Sequence, residues 1–108
     1  MPIDLNHLRT LCRDETIIAT KHFTDRLNER NIEYDSVLSA VMNGDLIEEY
    51  PNAYPYPCTL LLNFVTDSKP LHVVTGTDGN YVWLITAYYP TLDKWESDYK
   101  TRKVVENQ

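Results

Sequence analysis

Positive charge is scarce in this chain. Ten Lys and Arg stand against sixteen Asp and Glu, for a net charge of −6 at pH 7. That balance argues against broad, sequence-blind nucleic-acid binding by the whole surface, but leaves room for a local basic site. Long hydrophobic runs are also missing, since none approaches the ~18 residues that a transmembrane helix needs. The opening "MPIDLNHLRTLCRDE" is too polar for a signal peptide, so a cytoplasmic protein without membrane contact is expected. Cys12 and Cys58 are far apart with no Cys-x-x-Cys spacing, which fits free thiols better than a disulfide or a thiolate metal site. Three histidines at no ligand spacing add nothing to that. No cofactor and no metal are expected, and a zinc or iron hydrolase built on His7, His22 and His72 ranks last.

What is present suits an ordinary globular domain. The 108 residues are 43% hydrophobic and 24% charged, enough for a core without staples. We read one domain over 1–108, with a core over about 16–90 and a polar tail over 91–108. Ile3, Leu5, Leu8 and Leu11 fall near helical spacing behind Asp4, which predicts a first helix over about 4–14. "ETIIAT" is a short β-branched segment, a strand or an extended lead-in. A second helix runs to about Asn31. A third is expected to start at Asp35 as its N-cap and to stop at Gly44. Strand patterns follow in "DLIEEYP", "CTLLLNFVT", "LHVVTGT" and "YVWLITAYYP", the last read as the longest and closed by Pro90. "NAYPYP" reads as an extended loop or edge, "DSKP" as a turn and "DGN" as a tight hairpin. The tail is expected to hold one helical turn around Trp95 and Tyr99. Helices first and strands second predict an α+β fold, N-terminal helices on a mostly antiparallel sheet of about four strands.

Four groups of residues could carry chemistry. His22, Arg26 and Arg30 recur at steps of four in "TKHFTDRLNERNIEYDSV", one stripe of the second helix, beside an apolar stripe of Phe23 and Leu27. That stripe is either a solvated face paired to Asp25 and Glu29 or one wall of a site. His72 alternates with Leu71 and Val73 in its strand, so it faces the opposite side from them. It is either a hydrogen-bonded core residue or a catalytic one. Alternation also places Leu84, Thr86, Tyr88 and Pro90 on one face of the last strand, and Ile85, Ala87 and Tyr89 on the other. Tyr50, Tyr54 and Tyr56, broken up by prolines, form either a stacking platform for unpaired bases or a Tyr/Pro edge over the core.

Together these residues admit metal-free cleavage of RNA. That reaction needs a base for the 2′-OH, an acid for the leaving oxygen and cationic donors for the phosphate. Histidine suits the proton transfers and arginine the phosphate. His22 or His72 would serve as base and acid, Tyr88 as a hydrogen-bond donor or the acid, and Arg26, Arg30 and Thr86 would hold the phosphate. The other reading is a non-catalytic interaction domain, its acidic surface meeting a basic partner through Tyr54, Tyr56, Trp95 and Arg102. A shared positive cleft containing His22 and His72 favours the enzyme. His72 buried on the sheet face away from the helix breaks that pair and favours the interaction domain.

"HFTDRLNERNI", "EEYPNAYPYP", "PLHVVTG" and "ITAYYPTLDKWESDYKTRK" occur in that order. The set resembles the domain-of-unknown-function family numbered 4258, small bacterial and archaeal proteins, over about Thr20 to Lys103. The resemblance implies a toxin-like partner of an MqsA-type zinc-finger antitoxin, similar to RelE and barnase-like endoribonucleases that act with or without the ribosome. It implies the same site residues, His22, Arg26, Arg30, His72, Thr86 and Tyr88, with Trp95 and Arg102 ordering the tail. Much of the negative charge, in "IEYD", "GDLIEEYP" and Asp14–Glu15, is expected outside that site.

Overall fold

The computed structural model describes residues 4–104, so the reading of Ile3 and the end of the tail fall outside the described residues. Three helices precede most of the sheet: α1 (Leu5–Arg13), α2 (Lys21–Arg30) and α3 (Tyr34–Asn43). The strands are β1 (Ile17–Ala19), β2 (Asp45–Tyr50), β3 (Cys58–Thr66), β4 (Lys69–Thr77) and β5 (Val82–Tyr88). They form one five-stranded sheet in the order β1-β5-β4-β3-β2. The α+β class and the mostly antiparallel sheet hold; "ETIIAT" takes the strand alternative and adds β1 as a fifth strand, parallel to β5 at one edge. The remaining pairings are antiparallel.

Local chemistry explains the helix bounds. The Asp4 carboxylate accepts from the backbone N–H of Asn6 and His7, and the Thr20 hydroxyl from that of Phe23. Asn31 ends α2 in the left-handed region, which asparagine tolerates well. Asp35 is not the N-cap of α3. Glu33 holds that position, and Asp35 lies in the first turn, where its charge suits the helix dipole. Gly44 does end α3, with an extended backbone at φ −72°. Its value is space: a Cβ there would sit 2.4 Å from the Ala40 carbonyl oxygen and 2.9 Å from that of Leu62. Arg9 of α1 donates to the Val41 and Gly44 carbonyls at 2.9 and 2.7 Å, meeting orphan acceptors at the end of α3.

All three helices lie on one sheet face. Leu8, Phe23, Leu27, Val37 and Val41 pack with Leu61, Leu71, Val73, Val82, Leu84 and Ala87 to form the core. β5 is shorter than β3 and β4, which corrects the expectation that it is the longest. It also carries a bulge at Ile85, since Val74 faces Thr86 while Thr75 faces Leu84. The bulge shifts the alternation by one residue. Leu84 and Ala87 therefore both face the helices, and Leu84 does not share a face with Thr86 and Tyr88 as strict alternation predicts.

The tail makes one helical turn, Trp95 N–H donating to the Thr91 carbonyl at 3.1 Å, and no helix among the described residues. It runs as turns joined by a bridge between Trp95 and Arg102, and it straps across the sheet face that the helices leave bare. Trp95 is 3% exposed beneath it.

Candidate functional site

The stripe on α2 divides. Phe23 and Leu27 face the sheet, as the apolar stripe predicts, and His22 is exposed on the helix. Arg26 pairs with Glu29 at 2.6 Å on the surface, an arrangement worth ~0–1 kcal/mol. Arg30 turns the other way. Its guanidinium donates to the Ala87 carbonyl at 2.7 Å and to the Thr86 hydroxyl at 3.3 Å. These contacts fall past the end of β1, where β5 has no strand partner on that side.

His72 lies on the sheet face away from the helices, opposite Leu62 and Tyr88, and is 0% exposed. His22 and His72 are therefore separated by the sheet and do not share a cleft. The sequence admits that outcome, because periodicity places His72 on a face without saying which face the helix covers. Nδ1 of His72 shares a hydrogen bond with the Tyr88 hydroxyl at 3.2 Å, and Nε2 bonds the Tyr99 carbonyl at 2.8 Å. The Trp95 ring meets it edge-on, with centroids 4.5 Å apart. Burial lowers the His72 pKa, the Tyr99 carbonyl opposing, so the ring is neutral near pH 7.

A second cluster adjoins it. Arg102 donates through Nε and Nη2 to the Glu48 carboxylate at 2.8 and 3.0 Å, a two-bonded fork. Its guanidinium also stacks over Trp95, 4.7 Å from the ring centre. Tyr50 donates its hydroxyl to Glu48. The bond from Arg102 holds the Glu48 pKa down, so the carboxylate is ionised. Burial raises the hydroxyl pKa of Tyr88, so it keeps its proton. A cavity of about 420 Å³ opens beside this cluster, lined by Tyr88, Thr91, Lys94, Trp95 and Arg102 among others.

Of the residues singled out by sequence, the fold links Arg30, Thr86, Tyr88, His72, Trp95 and Arg102 along one end of β5 and the strap. It leaves His22 and Arg26 on the far side. Trp95 and Arg102 form the bridge within the tail, the guanidinium lying over the indole. Tyr54 and Tyr56 sit at the other end of β5, where the Tyr56 and Trp83 rings lie 5.3 Å apart. Sequence reasoning misses Glu48 and Lys94; it groups Tyr50 with Tyr54 and Tyr56 instead of with this cluster, and reads Tyr99 only as part of a turn in the tail. Glu48 corrects the expectation that the acidity of "GDLIEEYP" stands outside the site. Its spacing of two from Tyr50 in β2 was the available signal, since such residues share a sheet face. Among the described residues, no three His, Cys, Asp or Glu side chains gather as ligands for a metal.

One family model matches, described as Domain of unknown function (DUF4258), over residues 19–89. The match begins at the last residue of β1, runs through β5 and stops short of the strap with Lys94, Trp95 and Arg102. No curated protein and no solved structure matches the chain.

Proposed function

The chain belongs to the DUF4258 family, and on that premise we propose that it is a metal-independent endoribonuclease, the toxin-like member of a pair with a zinc-finger antitoxin. It would act in the cytoplasm on a RelE-like version of this fold. The observation that carries the reading is the cavity lined by Tyr88, Lys94 and Arg102, whose arginine is fixed from behind by its fork to Glu48. The chemistry asks for a base, a proton donor and cationic phosphate ligands in one place.

The roles move from the helix stripe to this face. Lys94 and Arg102 bind the phosphate. Glu48 holds Arg102 in place through the fork, and the 2′-OH proton passes to water as that oxygen attacks phosphorus. The P–O5′ bond breaks, and the departing oxygen draws its proton from the Tyr88 hydroxyl, which turns from His72 Nδ1 to give it, leaving a 2′,3′-cyclic phosphate. His72 touches no substrate; it positions Tyr88 through Nδ1. Arg30 and Thr86 hold the end of β5.

The test is incubation of the purified chain with end-labelled single-stranded RNA in excess chelator. Cyclic-phosphate ends are expected. Tyr88→Phe and Lys94→Ala should each slow cleavage by about 10²-fold or more, the scale of losing one general acid or one charge-stabilising donor. His22→Ala should cleave at the parent rate. Intact RNA with the parent chain, or full activity in both Tyr88→Phe and Lys94→Ala, defeats the reading.

A second reading has its own support. His22 and His72 lie on opposite sides of the sheet, the outcome that favours a non-catalytic interaction domain, and the net charge of −6 suits a basic partner.

A further inference from the structure

The end of β5 remote from Tyr88 carries an apolar slot that the proposed cleavage does not use. Tyr54, Pro55, Tyr56, Cys58, Trp83 and Ile85 line a cavity of about 350 Å³, within the range of about 300–1,000 Å³ typical of ligand pockets. Tyr54 is 96% exposed and Ile85 43% exposed, so large apolar groups stand in water there. An exposed patch of this kind marks a binding surface more often than a packing accident.

The walls are held in place. Cys58, Gly76 and Trp83 lie side by side across β3, β4 and β5. Gly76 lets the loop lie close, since a Cβ there would sit 2.8 Å from the Pro57 carbonyl oxygen. The Trp83 indole donates Nε1–H to Asp78 at 3.2 Å, which fixes the ring beside Tyr56. Asp78 accepts from the backbone N–H of Asn80 and Tyr81, and those bonds hold its pKa below the usual carboxylate range. A permanent negative charge thus stands at the edge of the indole.

We propose that this slot binds a proline-containing basic peptide segment of a protein partner. Proline rings are apolar, and a polyproline II strand is extended before it binds, so it docks on aromatic walls at little entropic cost. Asp78 and the net charge of −6 then favour Arg or Lys flanking the prolines. A stacked RNA base fits less well. It brings a phosphate toward Asp78, and the walls offer few polar groups to its edges.

Titration of the full chain with the peptide Arg-Pro-Leu-Pro-Pro-Leu-Pro-Arg, followed by amide and indole NMR shifts, tests this. Saturable shifts are expected at Tyr56, Cys58, Trp83 and Ile85, with Trp95 unmoved. Tyr54→Ala, at an exposed position that cannot unfold the core, should weaken binding about tenfold, the loss of one aromatic anchor. Added salt should weaken it as well. The proposal is overturned by no binding, by equal binding of a proline-free peptide of the same charge, or by Tyr54→Ala binding like the parent. Shifts at the slot with oligouridylate but not with the peptide overturn it in favour of a base platform. Cleavage of RNA by Tyr54→Ala at the parent rate separates this surface from the proposed active site.

Discussion

Unlike His22, which is exposed, His72 is fully buried. Its folded pKa lies below the ordinary histidine value because burial disfavours the charged ring. The unfolded chain therefore binds more protons, and folding stability rises with pH up to the unfolded value of ~6.5. As pH falls below that value toward the folded pKa, this contribution is lost. Glu48 acts lower on the scale. Its folded pKa is depressed, so the stability it adds is present above the unfolded carboxylate value of ~4.3 and is lost as pH falls through the folded pKa. Urea midpoints measured from pH 7.5 down should show two declines, and His72→Gln should flatten the first while leaving the second. A single decline near pH 4 in the parent chain would show that His72 does not titrate as its burial requires. Periodicity assigned His72 its strand and its opposition to Leu71 and Val73. The covering by Trp95 and Tyr99 comes from residues more than twenty positions away, and no local pattern reports it.

Helices and strands were largely legible, because their causes are local. Thr20, Phe23, Leu27 and Asn31 specify α2 through a cap, an apolar stripe and a left-handed stop. Thr20→Ala should lower stability by about 1 kcal/mol, read as a shift in urea midpoint at constant slope. Gly44→Ala should cost more, about 1–3 kcal/mol, because both groups its methyl would meet are backbone carbonyls that cannot move aside. A neutral result would mean that β2 slides past α3 without strain. The bulge in β5 was illegible. "VWLITAYY" alternates no differently from a regular strand, and the extra residue appears only through pairing with Val74 and Thr75. β1 was ambiguous for a related reason: three residues become a strand only when the edge of β5 is there to receive them.

At the scale of the whole molecule, the helices cover one sheet face and the strap over 91–104 covers much of the other. Trp95 fastens the strap on His72, and Arg102 fastens it to Glu48, 54 positions away in sequence. Trp95→Ala should destabilise the fold by about 3–5 kcal/mol, the usual cost of emptying a buried aromatic site. Hydrogen exchange should show lost protection in the strap and at Tyr88, with α1 to α3 changed less. Uniform loss across the chain would mean that the strap is not a separable layer. The amino-acid sequence alone determined the bounds of α1 and α2 and the end of α3, most of the strands, the α+β class and the family resemblance, because caps, periodicity and turn residues act within a few positions. Only the tertiary structure decided which candidate residues meet. It parted His22 from His72 by a sheet and brought Glu48 to Arg102. Side-chain neighbours across a fold depend on which faces the helices and the tail come to cover, and those are set by packing between distant segments.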